Sequence, residues 1–264
     1  MSFSERFWAH ADVLAGSGVE EFDLFSIPHF IWIAIVAAGI ALYTFAYRKS
    51  GEKGRDNLRK AMAVFLILFE FFKISVIALN GAPVADSLPL HICSLAIFMI
   101  LFDAMWFSKN GVMGQFLVYE FMLGALITLL LPQCVIYPPY SFYVIHFFLT
   151  HGVIAAYIFA RLFTKEIRPR YVGIWQTLLA MYIQIIPVYF LDKAYDKNYM
   201  FLLDHWGNPA LKLCWDLSGG KGGFPYIIAL RILAVSLMHI VYLCFKLGEW
   251  ITKKVRKKEQ KKEQ

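Results

Sequence analysis

Apolar runs of roughly the 20 residues that a helix needs to cross the hydrocarbon core of a bilayer recur along this chain, with polar breaks between them. They fall at 28–47, 61–79, 91–107, 113–131, 142–163, 171–191 and 224–247. Backbone inside lipid has no water to bond to, so each run must satisfy its own amides, as a helix does. The sequence therefore predicts an all-α fold, a polytopic membrane helical bundle of about seven transmembrane helices. A single transmembrane domain over 1–250 leaves little room for a separate soluble unit, and a basic cytoplasmic tail takes up 251–264. The first run follows Glu20, Glu21 and Asp23 instead of a basic stretch and precedes no small-residue cleavage site, so it is expected to be retained.

Composition excludes the competing classes. Of 264 residues 59% are hydrophobic and 17% charged, against about 45–50% and about 25% in soluble domains, which rules out a cytoplasmic globular enzyme. With 24 Phe, 14 Tyr and 7 Trp the chain is not disordered. The net charge of +7 would point to nucleic acid only if the basic residues covered a soluble face. They segregate by side instead. Lys and Arg accumulate in cytoplasmic loops beside span ends. With the N-terminus outside and the C-terminus cytoplasmic, 19 of the 26 lie inside; Arg6, Lys193, Lys197, Lys212 and Lys221 lie outside, and Lys73 and Arg231 lie in spans. The terminal run ITKKVRKKEQKKEQ reads as a stop-transfer tail that fixes this topology. A multi-pass protein of the cell membrane is expected, with membrane lipids as partners and no nucleic acid; the oligomeric state is not encoded in any of these patterns.

Two longer segments fall on the outer side, the acidic stretch before Phe30 and the loop from Asp192 to Gly223. That loop holds Asn198, Tyr199, Trp206, Trp215 and Asp216, an interfacial composition. Its SGGKGG run, Ser218 to Gly223, lacks the Ser or Thr after GK that a phosphate loop requires, and reads as a turn. Of the four cysteines only Cys134 and Cys214 stand where an oxidising exterior could pair them. No CxxC or HExxH spacing occurs, so neither a metal site nor a cofactor is expected.

An ionisable side chain at the centre of a span costs about 2.5–3.5 kcal/mol on insertion scales and marks a functional site by default. Glu70 and Lys73 sit i,i+3 on one face of the second run, and Asn80 continues the stripe. The pair reads either as a self-neutralising ion pair that steadies helix packing or as a charged wall beside a neighbouring imidazole. His91 opens the third run just after Pro89, and Cys93 falls about 200° further round a regular helix, facing elsewhere. In the fifth run His146 lies about 6 Å below the outer end, and His151 diverges from it by about 140°. Thr150 shares the face of His146. His91 and His146 thus come from different helices at similar depth, the arrangement a paired acid/base site requires. Glu120, nearer the cytoplasmic side of the fourth run, is expected to pair with a neighbouring helix or with Lys73. Arg231 and His239 read as inward hydrogen-bonding residues without a role.

ExxK in the second run, LPLHIC opening the third, GALxxLLxP closing the fourth, IHxxxTHG in the fifth and Asn-Tyr after the sixth occur in that order. Over Pro28 to Leu243 the chain thereby resembles the YwaF-like bacterial integral membrane proteins. More distantly it is similar to a eukaryotic multi-pass family that transfers polyunsaturated acyl chains onto ether lysophospholipids with a Cys and a His. The family's Pro-Cys-His run corresponds to Pro89, Leu90 and His91, so Leu90 replaces the nucleophilic cysteine. Its later histidine matches His146, its Glu and Lys match Glu70 and Lys73, and its Asn matches Asn198. The resemblance implies an outer-leaflet site in which His91, His146 and Glu70 carry acyl transfer or hydrolysis on a lipid or acyl substrate. Lys73, Asn198, Thr150 and Glu120 would contact the substrate. The alternative reading is a non-catalytic membrane carrier or a lipid- or solute-binding protein. No internal repeat or pair of matching broken helices supports transport.

Overall fold

The computed structural model describes residues 1–15, 17–19, 21–106, 111–134 and 136–260. Lys109, Lys261, Lys262 and Glu20, used above to assign topology and the first run, lie outside the described residues. Two short helices, α1 (Phe3–Trp8) and α2 (Ala11–Leu14), precede α3 (Ile27–Lys49) and α4 (Glu52–Leu79). Then come α5 (Ile92–Trp106), α6 (Val112–Phe116), a π-helical segment (Leu117–Met122) and α7 (Leu123–Leu130). The chain closes with α8 (Phe142–Phe163), α9 (Tyr171–Tyr195), α10 (Pro209–Leu217) and α11 (Phe224–Gln260). Among the described residues there is no strand.

Local chemistry sets these boundaries. Pro28 occupies the first turn of α3, where its missing N–H costs nothing, and Arg48 and Lys49 close the helix against its own dipole. Ser141 caps α8 by accepting from the Val144 amide, and Asn208 caps α10 by accepting from Ala210 and Leu211. The first ten residues of the expected tail, 251–260, continue α11 as helix.

Among the described residues six helical stretches are long and apolar enough to span a membrane: Ile27–Lys49, Glu52–Leu79, Val112–Leu130, Phe142–Phe163, Tyr171–Tyr195 and Phe224–Val255. The apolar run at 91–107 yields the 15 residues of α5, about 22 Å of helix against a core of about 30 Å. The start of α5 is fixed upstream. Gly81 turns the chain in the left-handed region at φ 70°, and a 3-10 turn at Val84–Ser87 sits between Pro83 and Pro89. Helix cannot begin before this punctuation ends. Among the described residues six stretches reach spanning length where about seven were expected.

Within the spanning windows 72% of α8 residues are buried but only 17% of those in α3 and α11, which makes α8 the central helix and puts α3 and α11 at the periphery. Leu42, Phe45 and Leu68 on outer faces are more than 60% exposed, an apolar surface that suits lipid rather than water. The main core joins Leu66 of α4, Ile97 and Ile100 of α5, Tyr119 and Phe121 of the π segment, Ile154 and Tyr157 of α8 and Met181 of α9.

Gly173 marks a close helix approach. A Cβ there would lie 2.8 Å from Gln115 Cγ and 2.9 Å from its Cβ. Gln115 in turn holds the start of α9, accepting from the Arg170 amide at 2.9 Å and donating to the Arg168 carbonyl at 3.2 Å. Gly173→Ala must displace Gln115 and is expected to cost about 1–3 kcal/mol, read as a lower unfolding midpoint in detergent. A midpoint equal to that of the unmodified chain would show that α9 can shift to make room.

Candidate functional site

Glu70, Ser94 and His146 meet where α4 nears its end and where α5 and α8 begin. Lys73 Nζ donates to Glu70 Oε1 at 2.6 Å, and the buried Ser94 hydroxyl donates to the same oxygen at 3.2 Å. The other oxygen, Oε2, lies 3.5 Å from His146 Nε2, and Thr150 Oγ1 stands 3.5 Å from that same nitrogen. The Glu70 and His146 side chains are only 6% and 8% exposed. The ring of Phe69 packs against the imidazole with centroids 4.5 Å apart, and Phe142 closes another side at 6.0 Å. Apolar walls around a carboxylate, an ammonium and an imidazole keep the local dielectric low, so each charge acts strongly on its neighbours. The spacing rule put Glu70 with Lys73 and His146 with Thr150, and the structure joins the two pairs. Ser94 is the member that sequence reasoning missed. A serine in an apolar run carries no signal of its own; only the pairing of α4 with α5 brings it to a carboxylate 24 residues away.

His91 is held differently. Its Nδ1 accepts from the Met200 amide at 3.3 Å, and its ring packs against Tyr199 and Phe201 at 5.5 and 5.6 Å. The neutral ring therefore carries its proton on Nε2. The two expected histidines thus have separate partners, His91 in the loop after α9 and His146 on Glu70. The Lys73 ammonium acts electrostatically on both, and on Cys93 and His151. Asn198 does not face this group: its carbonyl oxygen accepts from the Leu203 and Asp204 amides and its amide donates to the Asp204 carbonyl, folding its own loop. That loop is fastened further by Lys197 on Asp86, by the Tyr199 hydroxyl on the Ala85 carbonyl, and by Asp192, which accepts from the Tyr199 amide at 2.8 Å. The hydrogen bond it donates to Asp86 holds the Lys197 ammonium pKa above its ordinary value. Met200 and Phe201 both adopt left-handed φ, at 55° and 57°, a strained geometry for bulky residues that persists because these bonds over-determine it.

Glu120 turns to Gln184 of α9, whose Nε2 lies 3.5 Å from Oε2. Of the two partners expected for it, the structure selects a neighbouring helix over Lys73. His239 bonds the Val235 carbonyl of its own helix. All four cysteines are free; Cys134 and Cys214 sit in separate clusters and form no disulfide. Among the described residues no three His, Cys, Asp or Glu side chains converge as a metal set.

A second charged network lies toward the opposite ends of α4, α5 and α8. Arg161 Nη1 donates to Asp103 Oδ2, which also accepts from the Tyr157 hydroxyl at 2.5 Å. Arg161 Nε is 3.4 Å from Glu166 Oε2, an ion pair too poorly aligned for a hydrogen bond. Glu166 also takes the Tyr47 hydroxyl at 2.7 Å and Arg55 Nη1 at 3.5 Å, with Arg59 Nη1 at 3.9 Å. The network links four helices to the segment after α8. Asp103, an acid inside an apolar run, carried the same signal as Glu70.

Fold and site define a polytopic helical membrane protein with a charged, histidine-containing centre buried among its helices. The chain belongs to the TMEM164 family, a multi-pass membrane family whose model matches residues 24–249. Neither a curated protein nor a solved structure matches it.

Proposed function

We propose that this chain performs acyl-group chemistry on a membrane lipid, transfer or hydrolysis, at the Glu70–His146 centre. The observation that carries the reading is the geometry of Glu70: one oxygen neutralised by Lys73 and Ser94, the other presented to His146 Nε2, all nearly out of contact with solvent. With its Nε2–H turned to Glu70, His146 takes the proton of a water or lipid hydroxyl on its other ring nitrogen as that oxygen attacks an ester carbonyl, and Glu70 balances the imidazolium across the ring as a carboxylate does in a triad. The His146 imidazolium returns that proton to the departing oxygen, and His91, whose neutral form carries hydrogen on Nε2, hydrogen-bonds the same oxygen without giving up its proton. The 3.5 Å separation of Glu70 and His146 is long, as is usual before substrate tightens a catalytic hydrogen bond. The resemblance to the ether-lysophospholipid acyltransferases supports the substrate class. The distribution of Lys and Arg supports an outer-leaflet entry at the cell membrane, with the N-terminus outside.

The test uses the full chain in vesicles with a phospholipid labelled in its acyl chain and a lysophospholipid acceptor. Labelled product or free acid should form, should vanish in His146→Ala, and should fall in His91→Ala. Cells with and without the gene should also differ in lipid acyl composition. No turnover and unchanged acyl composition would remove the enzymatic reading. Solute uptake that survives both histidine substitutions would establish a carrier instead.

A further inference from the structure

A different set of buried polar groups lies between the π segment, α9 and α11. Glu120, 4% exposed, has a single long hydrogen bond from Gln184, and its Oε1 has no partner. Arg231 of α11, 8% exposed, leaves both Nε and Nη1 without an acceptor. The π segment that carries Glu120 packs against both α9 and α11, yet no ion pair within 4.0 Å joins Glu120 to Arg231. A buried carboxylate and guanidinium that do not touch are the costly arrangement: each has lost its water and neither has gained the other. Two irregular backbones accompany them. Glu120 sits in a π-helical segment, a feature that concentrates at functional sites. Pro187, three residues past Gln184 inside α9, has no N–H to return to the helix.

We propose that Glu120, Gln184 and Arg231 form a binding site for a zwitterionic group, its anionic oxygens on Arg231 and its ammonium on Glu120. Charge decides the class. An anion alone would satisfy the guanidinium but face the Glu120 carboxylate, a cation alone would meet the reverse, and a group carrying both signs satisfies both. Phosphoethanolamine has this chemistry, either as a free solute or as the head group of a phospholipid. The site shares no residue with the Glu70–His146 centre and does not depend on the acyl-transfer reading.

The full chain, purified in a maltoside detergent, is titrated with phosphoethanolamine, with dihexanoyl phosphatidylethanolamine, and with ethanolamine and inorganic phosphate as single-charge controls. Saturable binding that raises the melting midpoint is expected for at least one of the zwitterions and for neither control. Binding by the short-chain lipid alone identifies a lipid source, and equal binding by the free head group identifies a solute. Glu120→Gln and Arg231→Gln should each weaken it about tenfold or more, the loss of one charge-assisted contact. Gln184→Leu, which leaves both charges in place, provides a weakened but folded variant, with helical content checked by circular dichroism. Absence of saturable binding, an equal response to phosphate alone, or unweakened binding in folded Gln184→Leu together with either charge variant would overturn the proposal.

Discussion

Asp103→Leu is expected to destabilise the bundle by about 3–5 kcal/mol, because it leaves the fully buried Arg161 guanidinium without its carboxylate. Asp103 is 1% exposed and Arg161 is 0%, so neither can reach water to recover what it loses. Glu166 cannot stand in: it lies 3.4 Å from Arg161 Nε in poor alignment and is shared with Tyr47, Arg55 and Arg59. The penalty belongs to the stranded charge more than to the bond itself. Asp103→Leu combined with Arg161→Met should therefore regain most of the loss, since an apolar replacement of a whole buried pair is often neutral or stabilising by about 1–4 kcal/mol. Unfolding midpoints of the two single variants and the double variant in detergent measure this directly. A single variant as stable as the unmodified chain would show that water already reaches the network.

The membrane helices were legible in the sequence because apolar length is a one-dimensional property. α3, α4, α8 and α9 begin and end within a few residues of charge or proline signals, apart from the polar first two turns of α4. α5 begins at Ile92, within a residue of its apolar run at 91–107, so its short length was already present in that run. The site was legible only as far as one helix could show it. Spacing gave Glu70 with Lys73 and His146 with Thr150, each pair on one helix face. It could not give Ser94, the separation of His91 from His146, or the choice of Gln184 by Glu120, because each depends on which helices pack together. Asn198 is instructive in another way: its matching motif suggested substrate contact, yet its side chain is consumed by backbone groups five and six residues on. Arg161, counted among the basic residues that orient the chain, lies 0% exposed in an ion network, so it serves packing as well as topology.

Glu70→Gln separates catalysis from packing at the proposed centre. The amide keeps the carboxylate's shape and can still accept from Lys73 and Ser94 through its oxygen, but it offers His146 no negative charge. By analogy with the carboxylate of a Ser-His-Asp triad, whose neutralisation costs about 10⁴ in turnover, acyl transfer should fall by roughly 10³–10⁴. A structural ion pair predicts something else. If Glu70 serves only to neutralise Lys73, then Glu70→Gln combined with Lys73→Met should restore both folding and turnover, because the stranded ammonium is gone. If Glu70 balances an imidazolium, the double variant regains its unfolding midpoint and stays inactive, since no substitution at Lys73 returns the anion to His146 Nε2 at 3.5 Å. Lys73, 18% exposed on its side chain, can bend toward the helix end when unpaired, so the stability loss of Glu70→Gln alone should be smaller than that of Asp103→Leu. Turnover unchanged in Glu70→Gln, or recovered in step with stability in the double variant, would reduce the carboxylate to packing and leave His146 without the group that makes it a base.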